Sequence, residues 1–284
     1  MKLIRLANHG QSKLGVRYGD SVLFLENIPG FVAFDNLIQL MRSSQFEKLH
    51  QWHKESNIRD FEESMEPIAN YSPVKLIDRP QKIIGIGLNY LEHASDLTDD
   101  LPKDFPTIFI KPSTVLIGHH EFVKIPKLSQ RTTGEAELGI IYKQDTKDAK
   151  NWLDVIAGFV AIVDMTAEDI LRQNARYLGL SKIFDSFLSL GCELITPDEF
   201  ENIADIEVAT VINGNIHAKN VIGNMRFSPQ YLVEFLSSVM SIQTGDIIST
   251  GTPRAVEIAH DDRIECRITG FQPLINPVND LKKS

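Results

Sequence analysis

Beyond residue 81 the chain is a succession of short apolar runs, IIGIG, TIFIK, FVKIP, AELGIIY, VIAGFVAIVDM, IEVATVI, DIISTG and RIECRITG, separated by turn-forming residues. Runs that alternate with period two or stay apolar throughout, and that favour Val, Ile, Thr and Phe, predict strands. The Asn213-Gly214 pair predicts a tight hairpin. Helical patterning interrupts this twice. TAED, Thr166 to Asp169, has the form of a capping box just after Asp164. SPQYLVEFLSSVM, 228–240, has Ser228 as cap, Pro229 in the first turn, and Leu232, Phe235, Leu236 and Val239 on one face. Near the N-terminus, the strands KLIRLA and KLGVRYGDSVLFL, turning at Gly19-Asp20, precede a helix over 34–55. Asp35 caps it, and Leu37, Leu40, Met41, Leu49 and Trp52 are spaced along it. Residues 60–81 are polar and carry Pro67, Pro73 and Pro80, the composition of a linker. The pattern predicts a mixed α+β fold, mostly β, with a small α+β domain over 1–75 and a larger body over 76–284. It excludes a doubly wound α/β sheet.

Composition narrows the partners. A chain of 284 residues, 43% of them apolar, can bury a sizeable core. A formal net charge of −9 with no basic stripe argues against nucleic acid and leaves small molecules or proteins. No run reaches the roughly 18 apolar residues of a membrane helix. The opening MKLIRLANHG turns polar by its eighth residue and lacks the apolar core of a secretion signal. Cys192 and Cys266 form no CxxC pair and have no histidine at ligand spacing, so they read as reduced thiols. A cytoplasmic protein is expected.

In GEAELGII, 134–141, Glu135 and Glu137 stand two apart at the mouth of an apolar strand and therefore share a face. Such a pair is commonly a solvated rim. If buried, the two charges repel and cost several kcal/mol or shift their pKa values upward, a conflict that a hard divalent cation removes. No third acid lies nearby in sequence; Asp164, at the end of GFVAIVD, is the candidate, and its simpler reading is a charge in a strand-to-helix turn. Three carboxylates suit Mg²⁺ or Mn²⁺, with Ca²⁺ allowed and zinc disfavoured.

The succession IIGIGLNYLEHASD (83–96), PTIFIKPSTVLIG (106–118), GEAEL (134–138), GFVAIVDMTAED (158–169), LSKIFDSFLSLGCELIT (180–196), INGN (212–215), NMRFSPQYLVEFLS (224–237) and IQTGDIISTGTP (242–253) resembles the fumarylacetoacetate hydrolase family in order and spacing. The lead-in MKLIRL…GVRYGDSVLFL is similar to that family's N-terminal region. The resemblance implies a β-roll of mixed sheets around an active site, a homodimer, and Mg²⁺ or Mn²⁺ held by Glu135, Glu137 and Asp164. It also implies an enzyme acting on a small 2-oxo or 1,3-diketo acid, with hydrolysis of a C–C bond in an acylpyruvate or fumarylacetoacetate-like substrate as the leading reaction. Oxaloacetate-type decarboxylation and keto–enol isomerisation are the alternatives on the same scaffold. A metabolite-binding member with impaired catalysis is the alternative of another class.

The resemblance places the catalytic histidine on His93 and its orienting acid on Asp96, three residues on, with Glu92 a second candidate. A lysine near the metal falls on Lys182, where a cation can hold the substrate carboxylate or position the reacting water. Thr252 of STGTP and Lys111 of FIKPS fall on substrate-binding positions. The chemistry is coherent, since a 2-oxo acid can chelate a cation that polarises its carbonyl and stabilises the enolate formed when a neighbouring bond breaks. Departures from the family pattern are also visible. Val163 stands in place of Asn, Glu168 in place of Arg, and RAVEIAHDDRIECRITGF in place of a longer glycine-rich loop. His119 and His120 are expected on opposite faces of a strand, at the surface.

Overall fold

The computed structural model describes residues 1–90 and 104–283. Among these, thirteen strands form one mixed sheet and five form a second. The large sheet is centred on the antiparallel pair Thr132–Tyr142 and Ile156–Ala167, every residue of which is buried. Cover on both faces explains why these sequences read as near-continuous apolar runs instead of alternating ones. Gly139 permits the close approach, because a Cβ there would overlap Val160 and Ile162.

On one flank this pair continues through Leu188–Ile195 to Lys2–Asn8, Gln11–Tyr18 and Ser21–Phe24, so strands of the 1–75 segment extend the same sheet. On the other flank lie Ile247–Ser249, Ile83–Gly87 and Thr107–Lys111, the first two running parallel. The smaller sheet orders Asn215–Val221, Glu207–Ile212, Arg263–Ile268, Leu274–Asp280 and Val123–Ile125. It covers one face of the 132–142 strand: the Ala136 amide donates to the Thr210 hydroxyl at 3.0 Å, and Ile264 packs over Gly134. Strand alternation therefore turns Ala136 and Leu138 toward this sheet and leaves Glu135 and Glu137 on the opposite face. The two expected hairpin turns are present, Gly19 at φ +61° and Asn213-Gly214 at φ +51° and +84°.

Two helices differ from expectation. The 34–55 segment is not one helix but two, Leu37–Arg42 and Gln45–Glu55, and the cap is Asn36, whose side chain accepts from the Gln39 amide, instead of Asp35. The break falls at Ser43, where the hydroxyl donates to the Leu40 carbonyl at 2.7 Å and the backbone turns extended. Such local bonding competes with the helical ladder. In Pro229–Val239, Ser228 caps as expected, but Val239 is exposed and the buried face runs through Leu232, Val233 and Leu236. Among the described residues no helix is long and apolar enough to cross a membrane.

Candidate metal centre

The strand register sets Glu135 directly opposite Asp164, and Glu137 opposite Ile162. Directly paired side chains share a face, so Asp164 joins the two glutamates. Each of the three acids offers an oxygen within 4.8 Å of the others, and none is more than 5% exposed. Asp164 lies inside the strand, which runs on to Ala167, and not in a strand-to-helix turn. The expected capping box is also absent. The helix Glu168–Gln173 starts behind Ala167 with no side-chain cap, and the Thr166 hydroxyl donates to Glu135 Oε1 at 2.7 Å. A capping hydroxyl accepts from the backbone N–H groups of the first turn, whereas here the hydroxyl is turned to donate to a buried carboxylate, a charge-assisted bond that outweighs a cap.

Two lysines share this buried space. Lys182, at the end of the helix Leu178–Lys182, donates to Glu135 Oε2 at 3.0 Å and to Asp164 Oδ2 at 2.6 Å. Lys111, on the sheet-edge strand Thr107–Lys111, pairs with Asp164 Oδ1 and donates to the Phe187 carbonyl at 2.5 Å. Asp164 thus carries an ammonium on each oxygen. Burial pushes the Lys111 pKa down to about 8, although Asp164 works against it. Burial also acts to lower Lys182, but Asp164, Glu135 and Glu137 outweigh it and hold that ammonium above its ordinary value.

Glu137 is positioned from the other flank. Ser249 donates its hydroxyl at 2.5 Å and Gly251 its amide at 2.9 Å, both to Oε2. Gly251 sits at φ +99°, where a Cβ would overlap Asn89, so a side chain is excluded twice over. Burial, reinforced by Asp164 and Glu135, raises the Glu137 pKa to about 8. Thr252, the expected substrate-side residue of this loop, directs its hydroxyl to the Arg254 carbonyl at 3.2 Å; its neighbour Gly251 is the one that reaches the cluster.

Thr133 and Thr166, which both donate to Glu135 Oε1, and Ser249 and Gly251 escaped the sequence reading. A period-two signal was available for the threonines, since Thr133 precedes Glu135 by two and Thr166 follows Asp164 by two. Glu168, the reversed charge of the family pattern, is neutralised: it pairs with Arg131 and, at 2.9 Å, with Arg172, while Arg131 also pairs with Glu257. His93, Asp96 and Glu92 lie outside the described residues. His119 and His120 occupy a turn, not a strand: His120 is at φ +64°, the rings are 3.9 Å apart, and His119 Nδ1 accepts from the Ile275 amide at 3.1 Å.

These donors fit a hard divalent ion. The set is all oxygen, buried and convergent, and burial, with Asp164 and Glu135 adding to it, disfavours the Glu137 carboxylate, a cost that a cation would relieve. Among the described residues the cluster contains no histidine or cysteine, the nitrogen and sulfur donors that zinc favours.

A sequence model of the fumarylacetoacetate hydrolase C-terminal family matches residues 82–279. An uncharacterised protein of Methanocaldococcus jannaschii is 34% identical over 242 residues, covering 83% of this chain and 98% of the relative. The human mitochondrial oxaloacetate tautomerase FAHD2A is 29% identical over 213 residues, 71% of this chain and 68% of that protein. Among solved structures, maleylpyruvate hydrolase from Sphingobium sp. SYK-6, in complex with manganese(II) and pyruvate, superposes with a TM-score of 0.79 at 25% identity over 99% of each chain.

Proposed function

This chain belongs to the fumarylacetoacetate hydrolase family, and we propose that it is a divalent-metal-dependent enzyme hydrolysing a C–C bond in a small 2-oxo or 1,3-diketo acid of the acylpyruvate type. The observation that carries this reading is the buried Glu135–Glu137–Asp164 cluster with Lys182 bonded across two of its members. The manganese and pyruvate of the Sphingobium hydrolase structure support it, pyruvate being itself a 2-oxo acid. Mg²⁺ or Mn²⁺ held by the three acids would polarise the 2-oxo carbonyl and stabilise the negative charge that develops when the adjacent bond breaks.

The protein's own groups then divide the work. Lys182, already fixed by Glu135 and Asp164, offers a preorganised cation to the substrate carboxylate or the reacting water. Lys111, buried against Asp164, balances that acid's charge, and in this reading its contact is with the cluster more than with substrate. Ser249 and Gly251 hold Glu137 in one orientation, and Thr252 continues the same loop toward the substrate. His93 is proposed as the base that activates water, oriented by Asp96, in a homodimeric assembly.

Keto–enol tautomerisation is the second reading, favoured by the likeness to the human oxaloacetate tautomerase. It uses the same cluster and moves a proton without attack by water. A panel of acylpyruvates, fumarylacetoacetate-like diketo acids and oxaloacetate, assayed with Mg²⁺, Mn²⁺ or EDTA, separates the two. Hydrolysis releases pyruvate or an equivalent acid, whereas tautomerisation changes enol absorbance at constant mass. Metal-dependent turnover abolished by Glu135→Gln is expected, and no turnover on any member of the panel would overturn the reading.

A further inference from the structure

Phe109 and Lys111 stand two apart on the strand Thr107–Lys111 and share its buried face, while Ile110 between them is exposed. Lys111 reaches Asp164. Phe109 meets the other lysine. Its ring lies across Gly85, its antiparallel partner on Ile83–Gly87, where any Cβ would overlap the ring. The Lys182 ammonium stands 4.8 Å from the centre of that ring while donating to Glu135 and Asp164. Among the described residues, Lys182 is therefore held by two carboxylates and one aromatic face.

We propose that Phe109 is a positioning residue for Lys182: seated on Gly85, its ring presents an electron-rich face to the ammonium and fixes it at the carboxylate cluster. The inference rests on the reading of Lys182 as the cation that meets substrate or water. A lysine stem is flexible, and Lys111 repels Lys182 from the far side of Asp164. An aromatic face attracts a cation by its quadrupole without adding a negative charge. A further acid in that place would compete for the divalent ion and add another buried negative charge. Glycine within a strand is otherwise unfavourable, so Gly85 makes sense as the seat that a flat ring requires.

The test is kinetic. Phe109→Leu keeps apolar bulk and removes the ring face; kcat is expected to fall about 2- to 30-fold with a smaller change in KM, and Phe109→Tyr to recover most of it. Gly85→Ala, which displaces the ring, lowers kcat in the wild-type background but adds little to Phe109→Leu, because both act through one contact. Phe109→Met replaces the leucine variant if that one folds poorly. Wild-type kcat in Phe109→Leu, or full additivity with Gly85→Ala, would overturn the proposal. If the wild type itself turns over nothing on the panel, the functional reading fails separately. The cycle of Phe109→Leu with Lys182→Met in urea unfolding then decides the pair, coupling upholding it and additivity overturning it.

Discussion

Replacing Lys182 with methionine tests the charge balance of the cluster, because the change keeps the length of the stem and removes only the ammonium. Lys182 and its partners Glu135 and Asp164 are all buried, at 3.0 and 2.6 Å. Without it, Asp164 retains Lys111 and Glu135 retains the hydroxyls of Thr133 and Thr166, while the buried Glu135–Lys182 pair is broken from the lysine side. Breaking a buried pair from one side costs about 3–5 kcal/mol. At roughly 2–4 °C per kcal/mol for a large domain, the metal-free variant should melt about 6–20 °C below the wild type. A divalent ion offsets part of this loss. Lys182 repels such an ion, so its removal raises metal affinity, and metal at about 100 times Kd returns roughly 2.7 kcal/mol. The assay is thermal unfolding after EDTA treatment and again with added Mn²⁺, beside calorimetric titration of the metal. A variant that is less stable empty, tighter for metal and deficient in turnover is expected. A metal-free melting temperature unchanged from wild type, or weakened metal binding, would refute the reasoning.

Glu135→Gln removes one anionic oxygen donor, and calorimetric affinity for Mg²⁺ or Mn²⁺ should fall on the order of 100-fold; unchanged affinity removes the cluster as a metal site. Thr166→Val keeps shape and deletes the hydroxyl bonded to Glu135, with a loss of about 1–2 kcal/mol in urea unfolding and about tenfold in metal affinity. A capping role for Thr166 would leave metal affinity untouched. Arg131→Ala removes one of the two guanidiniums that, among the described residues, pair with buried Glu168 and should cost about 1 kcal/mol, the partial exposure of Arg131 keeping it small; Glu168→Gln in the same chain should recover part of the loss. Burial acts to raise the Glu265 pKa, but the guanidiniums of Arg267 and Arg263 outweigh it and hold the group below its ordinary value. Its stabilisation is therefore complete above the unfolded pKa of about 4.3 and lost as pH falls through the folded one, so Glu265→Gln should flatten the acid limb of a stability–pH curve.

Strand alternation made the shared face of Glu135 and Glu137 legible, because period two is a local property. The position of Asp164 across from Glu135 was not local. It depends on the register of two strands joined through residues 143–155, with an irregularity at Ile141 and Tyr142. Lys111 and Lys182 were visible only through motif resemblance, since composition alone puts lysine at the surface; what holds them inside is a set of carboxylates from other strands. Thr166 was misjudged because a Thr-x-x-Asp pattern signals a helix start, and the tertiary partner prevailed over the local one. The split at Ser43 escaped because the apolar spacing continues across the break, while the event that causes it is one hydroxyl bonding to Leu40.

The departures from the family pattern bear on whether catalysis has decayed. Glu168 and the segment after Pro253 look in the sequence like two separate losses. In the structure they meet. Glu168 pairs with Arg131, and the same guanidinium pairs with Glu257 in Val256–Glu257, a short strand of the altered segment that adds to the 132–142 strand at Thr133 and Gly134. A decayed rim would leave a buried carboxylate uncompensated, because nothing would select for its partner. Here the reversed charge at 168 is matched by Arg172 on its own helix and by an arginine that also ties in the altered segment. The two departures form one connected network, beside a carboxylate cluster whose hydroxyl, amide and ammonium partners are all in place. A compensated network of this kind supports the proposed enzymatic reading over that of an impaired, metabolite-binding member.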